Sequence, residues 1–253
     1  MTDASSPDRR RLDALLVARG FFDSRARARD AVLRGTVTVA GRTAERPGQS
    51  VAGDAEIAVA DPARRYVSRA ALKLVHALDA FGLAVAGRRA LDIGASTGGF
   101  TQVLLERGAA CVTALDVGHG QLHPTLAGDP RVRPLEGVNA RALSPADLDG
   151  TAPDLVVCDV SFISLRLALP PALALAAPRA DGVFLVKPQF EVGRAALGKG
   201  GVVRDTALAR GAAEAVAGWL DGRSGWRVAG LVDSPVAGGD GNREFLLVAA
   251  RAA

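Results

Sequence analysis

The sequence has few cysteines and few aromatic residues. Only two of its 253 residues are cysteine, Cys111 and Cys158, and neither belongs to a Cys-x-x-Cys pair or a Cys/His spacing that suits zinc. We expect both to be ordinary core residues in a reducing compartment, and we expect no metal site. Aromatic residues make up 4% of the chain, which limits base stacking as a binding mode.

Long hydrophobic runs are absent as well. The most apolar stretch, LRLALPPALALAAP, is short and is interrupted by an arginine and by prolines, whereas a membrane-spanning helix needs about 20 apolar residues. The N-terminal sequence MTDASSPDRRR lacks the apolar centre of a signal peptide. These features predict a soluble cytoplasmic protein with no membrane partner.

Lysine is scarce although basic residues are common. Of the 31 basic residues only three are lysine: Lys73, Lys187 and Lys199. The net charge is +4, but the segment from Arg9 to Arg46 holds ten arginines against four acidic residues, a local balance of +6. Such a basic surface favours a polyanionic partner, although a solvated arginine-rich helix is the simpler alternative.

The first sixty residues are predicted to form a small α+β module. RLDALLVARG and SRARARDAVLRG have helical spacing and end in glycine, Ser24 can cap the second helix, and TVTVAGR alternates like a strand and turn. The pattern RLDxLL…RG…SRxxAxxxVLRGxVxVxG resembles the S4 RNA-binding fold. The resemblance implies contacts mostly with RNA phosphates, through residues near the RNA face: Arg11, Ser24, Arg25 and Arg29, with Arg65 in the basic link DPARRYVS.

The rest of the chain is predicted to be an α/β domain. An amphipathic helix begins at Arg69, and from Arg88 onward β-like runs alternate with helices. This alternation predicts a mostly parallel, doubly wound sheet. The expected organisation is a module over 9–60, a linker over 61–68 and a larger domain over 69–253.

The stretch ALDIGASTGGF carries the most informative local motif. A buried strand ends at Asp92 and passes into a turn from Gly94 to Gly99, whose small residues let the backbone approach a ligand. The order DxGxxxGG differs from the dinucleotide pattern GxGxxG, and it resembles the motif of class I, Rossmann-like methyltransferases, which bind S-adenosylmethionine. Asp116 ends the next strand and can accept hydrogen bonds from both ribose hydroxyls of a nucleoside. The alternative is a tight turn that binds nothing.

Two later polar residues follow further strands. Asn139, in LEGVNAR, can bond the adenine amino group or be an ordinary loop asparagine, whereas Asp159 ends DLVVCD. Ligands collect at the carboxyl ends of parallel strands. The predicted cofactor-binding residues are Gly94, Ser96, Gly98, Phe100, Asp116, Asn139 and Asp159.

Four charged residues in separated segments indicate the methyl acceptor. SRAALKL, DVSF, LVKPQ and GNREFLL supply Lys73, Asp159, Lys187 and Glu244. This Lys-Asp-Lys-Glu order resembles the catalytic set of the FtsJ-like ribose 2′-O-methyltransferases. DVSF lacks the prolines and tyrosine of the (N/D)PPY motif found in amine methyltransferases, and strand alternation should turn Cys158 away from the site.

Over residues 9–250 the chain resembles the TlyA family of haemolysin-named ribosomal RNA methyltransferases, with GHGQL, SFISL, KPQFEVG and GKGGVVRD as further matching motifs. The resemblance implies a seven-stranded sheet, ribosomal RNA or ribosomal subunits as partner, and 2′-O-methylation of cytidine in 16S and/or 23S ribosomal RNA. Lys187 would contact the ribose 2′-oxygen, either as a neutral base or as a charge that stabilises the alkoxide. The segment from Pro188 to Asp205 is expected to be a loop that becomes ordered on RNA, with Lys199 or Arg194 contacting phosphate. The alternative is a flexible surface loop.

Two other classes of function stay open at this stage. An RNA-binding assembly factor without catalysis would have no reason to retain the four charged residues. A membrane-active haemolysin is disfavoured by the lack of a spanning segment and of an export signal.

Overall fold

The computed structural model describes residues 8–252, which divide into two compact units. The first unit ends at Arg65 and the second begins at Tyr66. Each unit has a hydrophobic core built from its own residues.

The first unit combines two helices with short antiparallel strands. Its elements are β1 (Arg9–Arg11), α1 (Leu12–Ala18), α2 (Arg25–Leu33), β2 (Val37–Val39), β3 (Arg42–Thr43), β4 (Ser50–Ala52) and β5 (Ile57–Val59). Strand β1 pairs with β4, and β2 lies between β3 and β5. Helix α2 begins where the Ser24 hydroxyl accepts a hydrogen bond from the Arg27 amide, and Leu12, Leu16 and Val32 fill the core beneath the helices. The predicted α+β module is confirmed.

The second unit alternates strands and helices. Its elements are α3 (Ala71–Phe81), β6 (Arg89–Ile93), α4 (Gly99–Glu106), β7 (Cys111–Asp116), α5 (Pro124–Ala127), β8 (Val132–Glu136), β9 (Leu155–Cys158), α6 (Leu165–Ala168), α7 (Pro170–Leu175), β10 (Ala180–Val186), α8 (Pro188–Glu191), α9 (Thr206–Leu220), β11 (Trp226–Asp233) and β12 (Phe245–Arg251). Side chains alternate between two cores along the strands, as in β9, where Val156 and Val157 belong to opposite faces. Helices α3, α4 and α5 cover one face of the sheet, and α6, α7 and α9 cover the other.

The strands of this unit form one seven-stranded sheet in the order β11-β12-β10-β9-β6-β7-β8. All its strands run parallel except β12, which is antiparallel to both neighbours. The carboxyl ends of the parallel strands and the amino end of β12 therefore meet at the same sheet edge. The predicted mostly parallel, seven-stranded sheet is confirmed.

The two cysteines occupy different environments. Cys158 is buried in the core, as expected, but Cys111 is exposed and the expectation of a core residue was wrong for it. Cys111 is the first residue of β7 and pairs with Arg89, the first residue of β6. It therefore lies at the edge of the sheet where these parallel strands begin. Over residues 8–252 no helix is long and apolar enough to cross a membrane, and the same residues contain no cluster of three potential metal ligands.

Candidate functional site

The turn after β6 is held in place by its two neighbouring segments. The amides of Gly94 and Ala95 both donate to the carbonyl oxygen of Leu115, at 2.8 and 3.0 Å. Gly94 has a φ of +80°, and a Cβ there would lie 2.6 Å from the carbonyl oxygen of Asp159. Only glycine allows this approach, so the turn and the segment after β9 fit together through bare backbone.

Two further predicted cofactor residues begin α4. Gly98 has a φ of +97°, and a Cβ on it would meet the side chains of Leu122 and Leu126. Gly98 therefore packs towards α5 and is not among the residues that line the clefts described below. Phe100, although largely buried, lines the smaller of those clefts.

Asp116 is fixed by backbone amides at the end of β7. Its two carboxylate oxygens accept hydrogen bonds from the amides of Ser96 and Gly118, each at 2.8 Å. The Ser96 hydroxyl also lies 3.3 Å from Gln121 Oε1. The next residue, Val117, is 68% exposed and presents an apolar surface beside the carboxylate.

Asp92 does not share the cleft with Asp116. Its side chain is fully buried, and Oδ2 accepts a hydrogen bond from the Thr101 hydroxyl at 2.6 Å. Burial raises the pKa of Asp92 to about 7. Strand alternation turns this carboxyl towards α4, so of the two strand-end carboxylates only Asp116 is available to a ligand.

Two connected clefts lie at the carboxyl edge of the sheet. The larger, of about 470 Å³, is bounded by Gly94, Ser96, Asp116, Asn139 and the segment from Asp159 to Ile163. The smaller, of about 180 Å³, reaches Lys187. Both clefts are lined by four of the same residues: Gly94, Ser96, Asp159 and Ser161.

Asn139 has a local structural role in the larger cleft. Its Oδ1 accepts a hydrogen bond from the Arg141 amide at 3.0 Å, which caps a short turn. This bond holds the side chain against the cleft wall.

The four predicted catalytic residues form two ion pairs at the same edge. Lys187 Nζ lies 2.6 Å from Asp159 Oδ1, and Lys73 Nζ lies 2.5 Å from Glu244 Oε2. Lys73 and Glu244 are nearly inaccessible, at 5% and 3% exposure. Lys187 directly follows the last residue of β10 and Glu244 directly precedes β12, so the antiparallel pairing of these strands brings the two residues to neighbouring positions.

Sequence reasoning missed two residues in this region. Lys187 Nζ donates a hydrogen bond to the Ser161 hydroxyl at 2.8 Å. Phe162 is 91% exposed, has a φ of +66° and lies 5.3 Å from the Phe190 ring, centroid to centroid. For Phe162 the sequence offered one signal: an aromatic residue shortly after the strand-end aspartate, in a chain with few aromatic residues.

The segment after Lys187 is partly helical. Pro188 begins α8, which occupies the position expected to start a loop, and a short 3-10 helix follows at Arg194–Ala196. Glu191 ties α8 to α6 by accepting hydrogen bonds from the Ser164 hydroxyl at 2.6 Å and from the Leu165 amide at 2.8 Å. Burial raises the pKa of Glu191. Lys199 lies beyond these elements in an exposed turn.

In the first unit, one buried carboxylate organises two of the predicted RNA-binding arginines. Asp13 Oδ2 lies 3.0 Å from both Arg11 and Arg25, whose side chains are more than half exposed. The hydrogen bond from Arg11 lowers the pKa of Asp13 to about 2, with a further contribution from Arg25. Arg29 is exposed on α2, Ser24 is engaged as its cap, and Arg65 is exposed at the end of the 3-10 helix Pro62–Arg65.

The strand order, the glycine turn after β6 and the carboxylate at the end of β7 define the second unit as a class I, Rossmann-like methyltransferase domain. Comparison with known proteins agrees. The model of the FtsJ-like methyltransferase family matches residues 66–251, and the S4 domain model matches residues 10–57.

Individual relatives match along nearly the whole chain. The 16S/23S rRNA (cytidine-2′-O)-methyltransferase TlyA of Mycobacterium tuberculosis is 50% identical over 94% of this chain and 89% of its own. Hemolysin A of Brachyspira hyodysenteriae is 38% identical over 93% and 98%. A solved Streptococcus thermophilus structure described as a hemolysin has 40% identity and a TM-score of 0.74, over 97% of this chain and 89% of that one. The chain therefore belongs to the TlyA family of FtsJ-like methyltransferases.

Proposed function

We propose that this protein transfers a methyl group from S-adenosylmethionine to the ribose 2′-oxygen of a cytidine in 16S and/or 23S ribosomal RNA. The observation that carries the proposal is the meeting of two lysine-carboxylate pairs at one sheet edge, where Asp159 of one pair lines the larger cleft. The name of the Mycobacterium tuberculosis relative supports the choice of cytidine and of the 2′-oxygen. A ribosomal substrate also fits the predicted cytoplasmic location.

The larger cleft suits a nucleoside cofactor. Asp116 presents a fixed carboxylate for the two ribose hydroxyls, and exposed Val117 offers an apolar surface for the adenine. Asn139 and Ser96 supply further polar groups on the same wall, and Gly94 also lines the cleft. When bound, the cofactor supplies an activated methyl group.

The smaller cleft suits the ribose that accepts the methyl group. Methyl transfer needs an in-line arrangement of donor, carbon and acceptor, and an acceptor oxygen that can lose its proton. We assign Lys187 to the 2′-oxygen, because it lines the smaller cleft and is paired with Asp159, which lines both clefts. Asp159 holds Lys187 in place, and Lys73 with Glu244 forms a second buried pair beside it. Exposed Phe162 offers a stacking surface for the base.

RNA binding is assigned to the module 9–60 and to two basic residues outside it. Arg11, Arg25 and Arg29 present exposed guanidinium groups that suit phosphate. Arg65 and Lys199 complete the set, and Ser24 contributes through the helix it caps. The methyl-transfer chemistry belongs to the domain 69–253.

The central test is Lys187→Ala, assayed with purified 30S and 50S subunits and a radiolabelled methyl donor. We expect at least about a 100-fold loss of kcat, because the group that contacts the acceptor oxygen is removed. The Kd for S-adenosylmethionine should stay within about twofold, since Lys187 lies outside the larger cleft. Mapping 2′-O-methyl sites on both RNAs identifies the nucleotide. A fully active variant contradicts the assignment.

A further inference from the structure

Ser161 has a specific relationship to the nitrogen of Lys187. The nitrogen donates to the Ser161 hydroxyl at 2.8 Å and lies 2.6 Å from Asp159 Oδ1. A lysine nitrogen is tetrahedral, with three positions besides its bond to carbon. The Ser161 hydroxyl takes up one of these positions by a hydrogen bond. Asp159 Oδ1 has no hydrogen-bond partner among residues 8–252 and holds the nitrogen by charge, so two positions are left.

The segment that carries Ser161 is well fixed. The Asp159 amide donates to the Ile93 carbonyl at 2.9 Å, and the Asp159 carbonyl rests against Gly94. Directly after Ser161 the chain turns through the left-handed conformation of Phe162. Ser161 lines both the larger and the smaller cleft. The backbone around Ser161 therefore holds this residue where the two clefts share a wall.

We infer that Ser161 is a positioning residue for methyl transfer, whose hydroxyl sets the rotation of the Lys187 nitrogen and so directs one of its remaining positions at the acceptor oxygen. The inference rests on the proposed function. It holds for either form of the lysine. In an ammonium group this position is an N–H that donates to the ribose oxygen, and in a neutral amine it is the lone pair that accepts the hydroxyl proton.

Asp159 alone does not fix this direction. A single ion pair lets the nitrogen rotate about its bond to carbon, whereas a hydrogen bond in a second direction removes that freedom. Loss of the Ser161 hydroxyl should therefore slow the chemical step without weakening substrate or cofactor binding. A serine with only a structural role would instead lower stability and cofactor affinity together.

The test compares Ser161→Ala with Ser161→Thr, which retains the hydroxyl. Ser161→Ala is expected to lower kcat about tenfold, the effect of one hydrogen bond, with KM for the subunits, the Kd for S-adenosylmethionine and Tm unchanged. Ser161→Thr should recover most of kcat. Ser144→Ala is the matched control, because Ser144 also makes a side-chain hydrogen bond, to Asp147, in a loop that lines neither cleft.

Two further results separate this inference from the proposed function. In a Lys187→Ala background, Ser161→Ala should cause no additional loss of activity, because there is no nitrogen left to orient. Wild-type kcat in Ser161→Ala, with Lys187→Ala inactive, overturns the inference alone. A parallel fall in Tm and cofactor affinity also overturns it. Full activity of Lys187→Ala overturns the proposed function, and this inference with it.

Discussion

At the scale of single residues, Asp92 couples folding to pH. Its carboxyl is fully buried, and within residues 8–252 its Oδ1 has no hydrogen-bond partner. Burial raises its pKa to about 7, so the folded protein keeps a proton that the unfolded chain releases near pH 4. The stabilisation from this proton is complete below about pH 4 and is lost as the pH rises through about 7.

Asp92→Asn should remove this dependence, because the amide stays neutral and its oxygen can still accept the Thr101 hydrogen bond. The Tm of the variant relative to wild type is expected to rise between pH 5 and pH 8 and to level off above that range. Thermal unfolding from pH 5 to pH 9 measures the difference in Tm between the variant and the wild type. Asp149→Asn, at an exposed position, serves as control and should shift Tm almost equally at every pH. Parallel curves for Asp92→Asn and wild type would contradict the assignment.

At the scale of elements, the turn between β6 and α4 depends on close backbone contact. Gly94 and Gly87 flank β6, and both have left-handed φ angles, of +80° and +75°. A Cβ at Gly94 would press on the Asp159 carbonyl, whereas a Cβ at Gly87 would meet nothing within 4 Å. Alanine substitutions at Gly87 and Gly94 therefore separate the effect of backbone conformation from that of steric crowding.

Gly87→Ala should destabilise the protein by about 1 to 3 kcal/mol through its φ angle alone. Gly94→Ala should destabilise the protein by about 1 to 3 kcal/mol more than Gly87→Ala, because the added Cβ overpacks against the Asp159 carbonyl. It should also weaken S-adenosylmethionine binding, because Asp159 must move. Urea unfolding and calorimetric titration of the cofactor measure the two effects. Equal stability and equal cofactor affinity in both variants would show that the close approach has no consequence.

Local sequence signals predicted the elements that carry a strong periodicity or cap. Helix α9 at Thr206–Leu220 is one of the helices expected to alternate with strands after Arg88, and Asp205 caps it. Strand β1 was missed, because its three arginines show no alternation and its pairing with β4 is about 40 residues distant in sequence. Helix α8 is a single turn of four residues, too short for a periodic signal.

The candidate site was also predicted only in part from the sequence. The resemblance to known families named the four charged residues, but only the folded sheet shows which lysine pairs with which carboxylate. Ser161 was missed because a serine shortly after a strand-end aspartate has no distinctive pattern. Its partner Lys187 is 26 residues away, and the contact arises from the pairing of β9 with β10.

At the scale of the whole molecule, positive charge is concentrated in one segment of the first unit, from Arg9 to Arg46. The segment from Arg9 to Arg46 carries a net charge of +6. Because the whole chain carries +4, the residues outside this segment sum to −2. Within that segment Asp13 holds Arg11 and Arg25 together on one surface. The electrostatic part of RNA binding should therefore come mainly from the first unit.

Changing Arg11 and Arg25 together to glutamine should weaken RNA binding and leave cofactor affinity unaltered. The slope of log K against log salt is expected to fall by about 0.7 to 0.9 for each phosphate that the variant no longer neutralises. Filter binding of ribosomal RNA at salt concentrations from about 50 to about 200 mM, the range where such slopes are read, measures this change. Arg107→Gln, which removes an exposed arginine of the second unit paired with Asp79, should leave the slope unchanged. An unaltered slope in the double variant would show that Arg11 and Arg25 do not contact RNA phosphates.

The position of β12 has a consequence for biosynthesis. β12 lies between β10 and β11, yet it follows both along the chain, so a polypeptide leaving the ribosome amino end first cannot close the sheet until this strand emerges. Glu244 arrives with it and joins Lys73 across 171 residues of sequence. The turn after β6, Asp116 and Lys187 are all synthesised earlier. A nascent chain thus contains the residues of the larger cleft before Glu244 is made, and the second lysine-carboxylate pair cannot form until β12 has been synthesised.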